Sequence, residues 1–334
     1  MNLNIWQIIF LALLQGVTEL FPISSLGHTV IFPGLFGWGD LVRDQRFLPL
    51  IVALHLGTSI GLVIFFWRDW LQVIRTLARS VKAGEVHRGT EEWVSWLIII
   101  GCIPAGLLGV FLETPLKLLF ASPLIAATFL IVNGALLFLG ERIRRLGLTR
   151  KTTLTAMDVT SSINRLSTKS GGREGIKTRS ASSAEGTLSG GQVSYEQETF
   201  YRPLSSLTWK DAVIVGFAQS LALIPGISRS GASIVAGLGV HLNHEDAARY
   251  SFLLGTPLIG AAALLELPSL IGQSASVWLL ISVGMVLAGV AAYLSTRFLM
   301  KYFETGRLDP FAYYCWAMGL TSLIILIFVM HSPG

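Results

Sequence analysis

Charged side chains are scarce, at 13% of 334 residues, while 52% are apolar and the mean hydropathy is +0.63. A soluble domain carries about a quarter charged residues, so the composition argues against an aqueous globular protein. Cysteine is scarcer still. The two present, Cys102 and Cys315, each sit in an apolar run, which offers no disulfide framework and reads as two small core residues. No nucleic-acid motif accompanies the net charge of +5 and pI of 9.4; the positive charges lie in loops between apolar segments, the pattern of membrane orientation. The amino-terminal stretch lacks the basic region and small-residue cleavage site of a signal peptide and carries Gln15, Thr18 and Glu19, so it is expected to belong to the mature fold.

What is abundant is long apolar sequence. Six runs are long enough for a hydrocarbon core, which needs about 20 helical residues. They fall near Leu48–Trp67, Trp93–Leu112, Pro123–Leu139, Tyr250–Leu267, Val277–Phe298 and Pro310–Met330. Two more segments, 5–37 and 210–240, are apolar but broken, at FPISSLGH (Phe21–His28) and PGISRSGAS (Pro225–Ser233). Proline, glycine and serine there interrupt a helix. Irregular backbone at membrane depth survives only when protein buries it or it lines a cavity, so both read as re-entrant helix–loop–helix hairpins. The expected fold is an all-α polytopic membrane protein.

Basic residues orient it. With the polar stretch 141–209 placed in the cytoplasm, the 67–92 and 297–309 loops fall on the same side, and only Arg43, Arg46 and Lys117 fall outside, with Arg229 inside a hairpin. Both termini then face out. Within the 141–209 linker, residues 150–206 are rich in Ser, Thr, Gly, Lys and Arg and are expected to be flexible, because such composition buries little apolar surface. His241 and His244 fall in a turn and are expected to be solvated.

The two broken segments resemble each other. Gln15 to Gly27 aligns with Gln219 to Gly231 at a constant spacing of 204, with Gln, Ile, Ser and Gly coinciding, and Leu-Gly-Thr recurs at 56–58 and 254–256. Residues 1–140 and 210–334 thus form two repeats, each one hairpin followed by three crossings. Three is odd, so the second repeat is inverted relative to the first, and such repeats set their site near the midplane where discontinuous helices meet. The two tips are expected to touch.

Ionisable groups in membrane segments are costly and usually functional. Arg229, with a planar fork suited to phosphate oxygens, stands among Gly226, Ser228, Ser230, Gly231 and Ser233, which permit close backbone approach and supply donors: an anion site. Ser24, Ser25, Gly27 and His28 come from the other tip, where histidine is the usual base for a serine nucleophile. Gln15 and Glu19 lie one helical turn apart, aimed at the same place. Glu19 has four open roles: orienting His28, binding a divalent cation, activating a water, or pairing with Arg229. His55 either lines the same cavity or packs as a core residue.

Taken together, Gln15, Glu19, Pro22, Ser24, Ser25, Gly27 and His28, then Pro225, Gly226, Ser228, Arg229, Ser230, Gly231 and Ala232, resemble the undecaprenyl-diphosphate phosphatase (bacitracin-resistance protein) family. Gln15 stands where many members carry glutamate, and Leu26 and Ser233 depart from the usual threonine. The resemblance implies a multi-pass enzyme of the bacterial inner membrane, its site opening outward, that recycles the cell-wall lipid carrier. It implies catalytic roles for Glu19, Ser25, His28 and Arg229; phosphate contacts are expected, from the residues themselves, at Ser24, Gly27, Gly226, Ser228, Ser230, Gly231 and Ser233. A Mg²⁺ or Ca²⁺ ion at Gln15 and Glu19 is an option rather than a requirement, and no organic cofactor is expected. Partners are a polyprenyl diphosphate, the bilayer and, as an option, a second copy in a homodimer. A type-2 phosphatidic-acid phosphatase is discounted because Val235 stands where its motif needs histidine. A lipid-phosphate transporter or flippase built on the same repeat remains the alternative.

Overall fold

A computed structural model of the chain describes residues 4–38, 41, 47–120, 122–169, 201–266, 268, 272 and 274–331, and among them every regular element is helical. In chain order the α-helices are α1 (Ile5–Thr18), α2 (Ser25–Leu35), α3 (Phe47–Phe65), α4 (Trp67–Ala83), α5 (Glu91–Phe120), α6 (Pro123–Lys169), α7 (Trp209–Ser220), α8 (Arg229–Gly239), α9 (His244–Glu266), α10 (Ala275–Phe303) and α11 (Asp309–His331). Five are long and apolar enough to cross a membrane, or six if α3 and α4, bent by 82°, count as one span. In four of those five spans only 33% of the most apolar window is buried by protein; large side chains such as Val110, Phe111, Leu265 and Phe328 stand exposed, as a lipid-facing surface requires.

Two sequence expectations change in shape. The stretch 67–92, expected as a loop, is helical over Trp67–Ala83. Val73, Thr76 and Ser80 on one side of α4 are buried, Trp67, Leu71, Ile74 and Val81 form an exposed apolar stripe, and Arg68, Arg75, Arg79 and Lys82 are exposed beside it. That composition belongs to a helix lying in a membrane interface. Residues 150–169, expected to be flexible, continue α6, because no proline or glycine intervenes before Gly171. The rest of the polar stretch, 170–200, lies outside the described residues.

The chain divides into two units, Met1–Glu141 with Pro203–Gly334, and Arg142–Arg202. Within the second, Arg144 donates to the Tyr201 hydroxyl. The first holds the candidate site. Its helices pair across the halves: α1 and α3 pack on α10, while α7 and α9 pack on α5. Small residues allow this. A Cβ at Gly16 would collide with the Ala288 backbone, one at Gly57 with Met285 and one at Gly216 with Gly101. Close backbone approach substitutes for the hydrophobic driving force that lipid does not supply. His244, expected to be solvated, is instead buried, its Nε2 2.8 Å from Glu141 Oε2 and its ring stacked on Phe303. A buried carboxylate needs such a partner.

Candidate active site

Both broken segments use the same local device. Ser24 caps α2 and accepts a hydrogen bond from Gly27 N at 3.2 Å; Ser228 caps α8 and accepts from Gly231 N at 3.1 Å. A serine cap satisfies an amide that the helix start leaves orphaned. The cap also sets where each helix begins. Ser25 and Arg229 become the first residues of their helices, at equivalent positions 204 apart. The tips then meet at glycine. Gly226 adopts φ +103°, and a Cβ on Gly27 would lie 3.1 Å from Gly226 Cα. Ser24, at φ 70°, takes a left-handed backbone rare for a residue with a side chain.

Glu19 is the centre. Its Oε2 accepts from Ser25 Oγ at 2.5 Å and from Gln15 Nε2 at 3.1 Å, and lies 3.3 Å from His55 Nε2. Its Oε1 accepts from Arg229 Nη2 at 3.3 Å and Nε at 3.4 Å. Arg229 Nη1 donates to the Ser251 carbonyl at 3.2 Å. Helix α9 admits the guanidinium only because residue 255 is glycine; a Cβ there would overlap it. Gln15, Glu19, Ser25 and Arg229, each singled out from the sequence, are therefore joined, and His55 joins them. Its Nδ1 lies 2.8 Å from the Ile51 carbonyl, which leaves Nε2 as the nitrogen facing Glu19.

His28 stands apart from this cluster. Its Nδ1 lies 2.6 Å from the Ser24 carbonyl one turn back, its Nε2 lies 2.9 Å from the Tyr314 hydroxyl, and the two rings stack. The bond to its own helix turns the imidazole toward α11 and away from Ser25. A carbonyl at Nδ1 makes that nitrogen the donor, so Nε2 of the neutral ring accepts from Tyr314. The serines of the second tip are also engaged. Ser230 Oγ reaches the carbonyls of Phe21 at 3.3 Å and Glu19 at 3.5 Å, and Ser228 Oγ lies 3.1 Å from Ser230 Oγ. Ser233 Oγ donates to the Arg229 carbonyl at 2.8 Å and lies 2.6 Å from Ser251 Oγ. In this arrangement these hydroxyls hold the tips together.

Sequence reasoning missed three residues. Asn133, fully buried on α6, donates from Nδ2 to the Pro22 carbonyl at 2.9 Å and accepts from Ser228 N at 3.0 Å, binding both tips with one side chain. Tyr314 and Ser251 are the others. A buried asparagine in an otherwise apolar span is the signal that marks Asn133; Tyr314 and Ser251 carry none that distinguishes them from ordinary helix residues.

Among the described residues no three or more His, Cys, Asp or Glu side chains cluster as a metal site. The amide oxygen of Gln15 is nevertheless buried and without a hydrogen-bond partner. It lies on the side chain whose Nε2 touches Glu19.

The chain is similar to several known proteins. The chain is 40% identical over 333 residues to undecaprenyl-diphosphatase 2 of Frankia alni, covering 92% of this chain and 94% of that one. It is 38% identical over 326 residues to the undecaprenyl-diphosphatase of Acidiphilium cryptum, covering 96% and 97%. It is 38% identical over 333 residues to that of Mycolicibacterium paratuberculosis, covering 97% and 98%. The family described as bacitracin resistance protein BacA matches residues 8–163 and 185–321, which include both helix breaks, and the chain belongs to that family.

Proposed function

We propose that this chain hydrolyses undecaprenyl diphosphate to undecaprenyl phosphate and inorganic phosphate, recycling the cell-wall lipid carrier and conferring bacitracin resistance. The observation that carries the mechanism is the 2.5 Å bond from Ser25 Oγ to Glu19 Oε2, with the Arg229 guanidinium on the other carboxylate oxygen. Serine is a weak nucleophile until a base takes its proton, and here the base in reach is Glu19. Attack of the Ser25 oxygen on the terminal phosphorus breaks the bridging P–O bond and releases polyprenyl phosphate. The serine proton passes to Glu19. Water then cleaves the phosphoserine, yields inorganic phosphate and restores the serine hydroxyl, and Glu19 loses its proton to solvent. Arg229 offsets the charge that builds on the phosphoryl oxygens, the main task in phosphoryl transfer. A second version uses the same atoms differently: Glu19 activates a water and Ser25 binds the phosphate.

His28 serves in this reading as a positioning residue, holding the Ser24 carbonyl and thereby the tip's left-handed turn. His55, on the same carboxylate oxygen as Ser25, fixes the Glu19 rotamer. A divalent cation fits the donor set: Glu19 and the unpartnered Gln15 oxygen would hold it together with substrate oxygens, a mode common for Mg²⁺. When bound, it would neutralise diphosphate charge.

The equivalent serine caps and the crossed pairing of α1 and α3 with α10, and of α7 and α9 with α5, support two repeats of inverted topology with re-entrant hairpins. The distribution of basic residues supports an inner-membrane protein with both termini outside and a site opening to the outer face. A carrier of lipid phosphates shares the repeat but has no need of a serine bonded to a carboxylate. The test is phosphate release from a C55 isoprenoid diphosphate by detergent-purified protein, with Ser25→Ala and Arg229→Ala as controls, with and without chelator. Release by the wild type and its loss in both variants is expected. Transport in liposomes without release would move the assignment to a carrier.

A further inference from the structure

We infer that α4 is a docking site for anionic phospholipid headgroups, a fixed strip of cations and apolar side chains that the bilayer surface covers; the inference goes beyond the phosphatase reading and does not depend on it. Helix α3 is predominantly apolar, and α4 leaves it at 82°. An α3 set across the bilayer therefore sends α4 nearly along its surface. Three rows of side chains run the length of α4. Val73, Thr76 and Ser80 form a buried row. Trp67, Leu71, Ile74, Ala78 and Val81, spaced by threes and fours, form an exposed apolar row. Arg68, Arg75, Arg79 and Lys82, each one position on from a member of the apolar row, form an exposed basic row directly beside it.

The buried row fixes how the other two are presented. Thr76 Oγ1 lies 2.8 Å from Ser95 Oγ, and Trp96 Nε1 donates to Ser80 Oγ at 3.0 Å, so α4 is tied to α5 along its length. Asp69, the only carboxylate on α4, pairs with Arg249 of α9. Among the described residues none of the four cations in the basic row is paired with a carboxylate. Arg68 lies over the Trp67 ring instead, 5.3 Å from its centroid. Four such cations beside an uncovered apolar strip call for a partner that offers negative charge and hydrocarbon side by side. The surface of an anionic leaflet offers both: phosphates suit the forked donors of arginine, and the acyl boundary takes Trp67, Leu71, Ile74 and Val81. Nucleic acid would leave the apolar row in water. A second copy of the chain in a two-fold contact would set the same cations against each other.

Headgroup crosslinking tests this. The full chain is reconstituted in phosphatidylcholine vesicles containing a minor fraction of phosphatidylglycerol, and one lipid or the other carries a photoreactive headgroup. The phosphatidylglycerol probe is expected to label peptides spanning residues 67–83 well above the phosphatidylcholine probe. Arg75→Gln with Arg79→Gln is expected to lower that labelling about fivefold for each charge removed, the scale of one basic side chain at an anionic surface. Arg75→Lys with Arg79→Lys keeps the charge and is expected to keep most of the labelling. Salt gives a reading on the unaltered protein: raising it from about 0.1 M to about 1 M, which shortens the screening length from about 10 Å to about 3 Å, is expected to remove the preference for phosphatidylglycerol. Equal labelling by the two probes, or a preference indifferent to salt, would overturn the inference. So would an unlabelled α4 in vesicles where Ala78→Cys forms a disulfide-linked dimer, which would make this face a contact between copies.

Discussion

The two tips share a frame and differ in chemistry. Each ends an apolar helix, turns through proline and glycine or serine, and restarts a helix capped by serine on the amide three residues on. At equivalent first helical positions one tip carries Ser25 and the other Arg229, so two similarly capped tips bring a hydroxyl and a cation to one carboxylate. Glu19 itself has no counterpart, since Leu223 occupies the matching position. The frame is alike and the side chains differ, so the carboxylate meets a hydroxyl from one tip and a guanidinium from the other.

The strongest way to break the comparison is to remove the unshared groups. Glu19→Gln and Arg229→Ala are each expected to lower phosphate release about a thousandfold, the scale of losing one preorganised charge contact, with the thermal midpoint of unfolding in detergent checking that the fold survives. Next comes the shape that admits Arg229. Gly255→Ala is expected to displace the guanidinium and cost about a hundredfold in kcat, as a misplacement of roughly 1 Å does. Single-turnover kinetics with a normal unfolding midpoint would identify the effect as positional.

His55 sharpens the first tip's role. His55→Leu is expected to lower kcat about tenfold, the scale of one lost positioning hydrogen bond, whereas His55→Gln, which keeps a donor toward Glu19, recovers most of it. Equal activity in both variants would reduce His55 to packing. The smallest effects belong to the shared frame. Asn133→Ala orphans Ser228 N and the Pro22 carbonyl and is expected to cost about 1–3 kcal/mol of stability. Ser24→Ala and Ser228→Ala are each expected to cost about 1 kcal/mol, read from equilibrium unfolding. Ser24→Gly is the informative contrast, because glycine relieves the φ of 70° while losing the cap.

Much of the site was legible in the chain. Gln15, Glu19, Ser25 and Arg229 announced themselves as polar groups in apolar sequence, and they converge. His28 was expected beside Ser25 as its base, and its direction was not legible. A histidine three residues from a serine suggests a pair, but the ring bonds the carbonyl of Ser24 and faces Tyr314, 286 positions away. The 67–92 stretch hid an amphipathic helix because its apolar residues split between a buried and an exposed stripe. His244 looked solvated because Glu141, its partner, lies 103 positions earlier.

The sequence by itself determined the membrane class and the two helix breaks, because each depends on composition or on the conformational limits of proline, glycine and serine. Tertiary structure alone decided that Ser25 faces Glu19 rather than His28, that Asn133 ties the tips across 111 and 95 positions, and that Tyr314 walls an apolar cleft beside them. The last two join residues far apart in the chain, and the first turns on the His28 ring being drawn to Tyr314, 286 positions away. They also depend on how closely the tips themselves approach, Gly27 against Gly226, which no local pattern specifies.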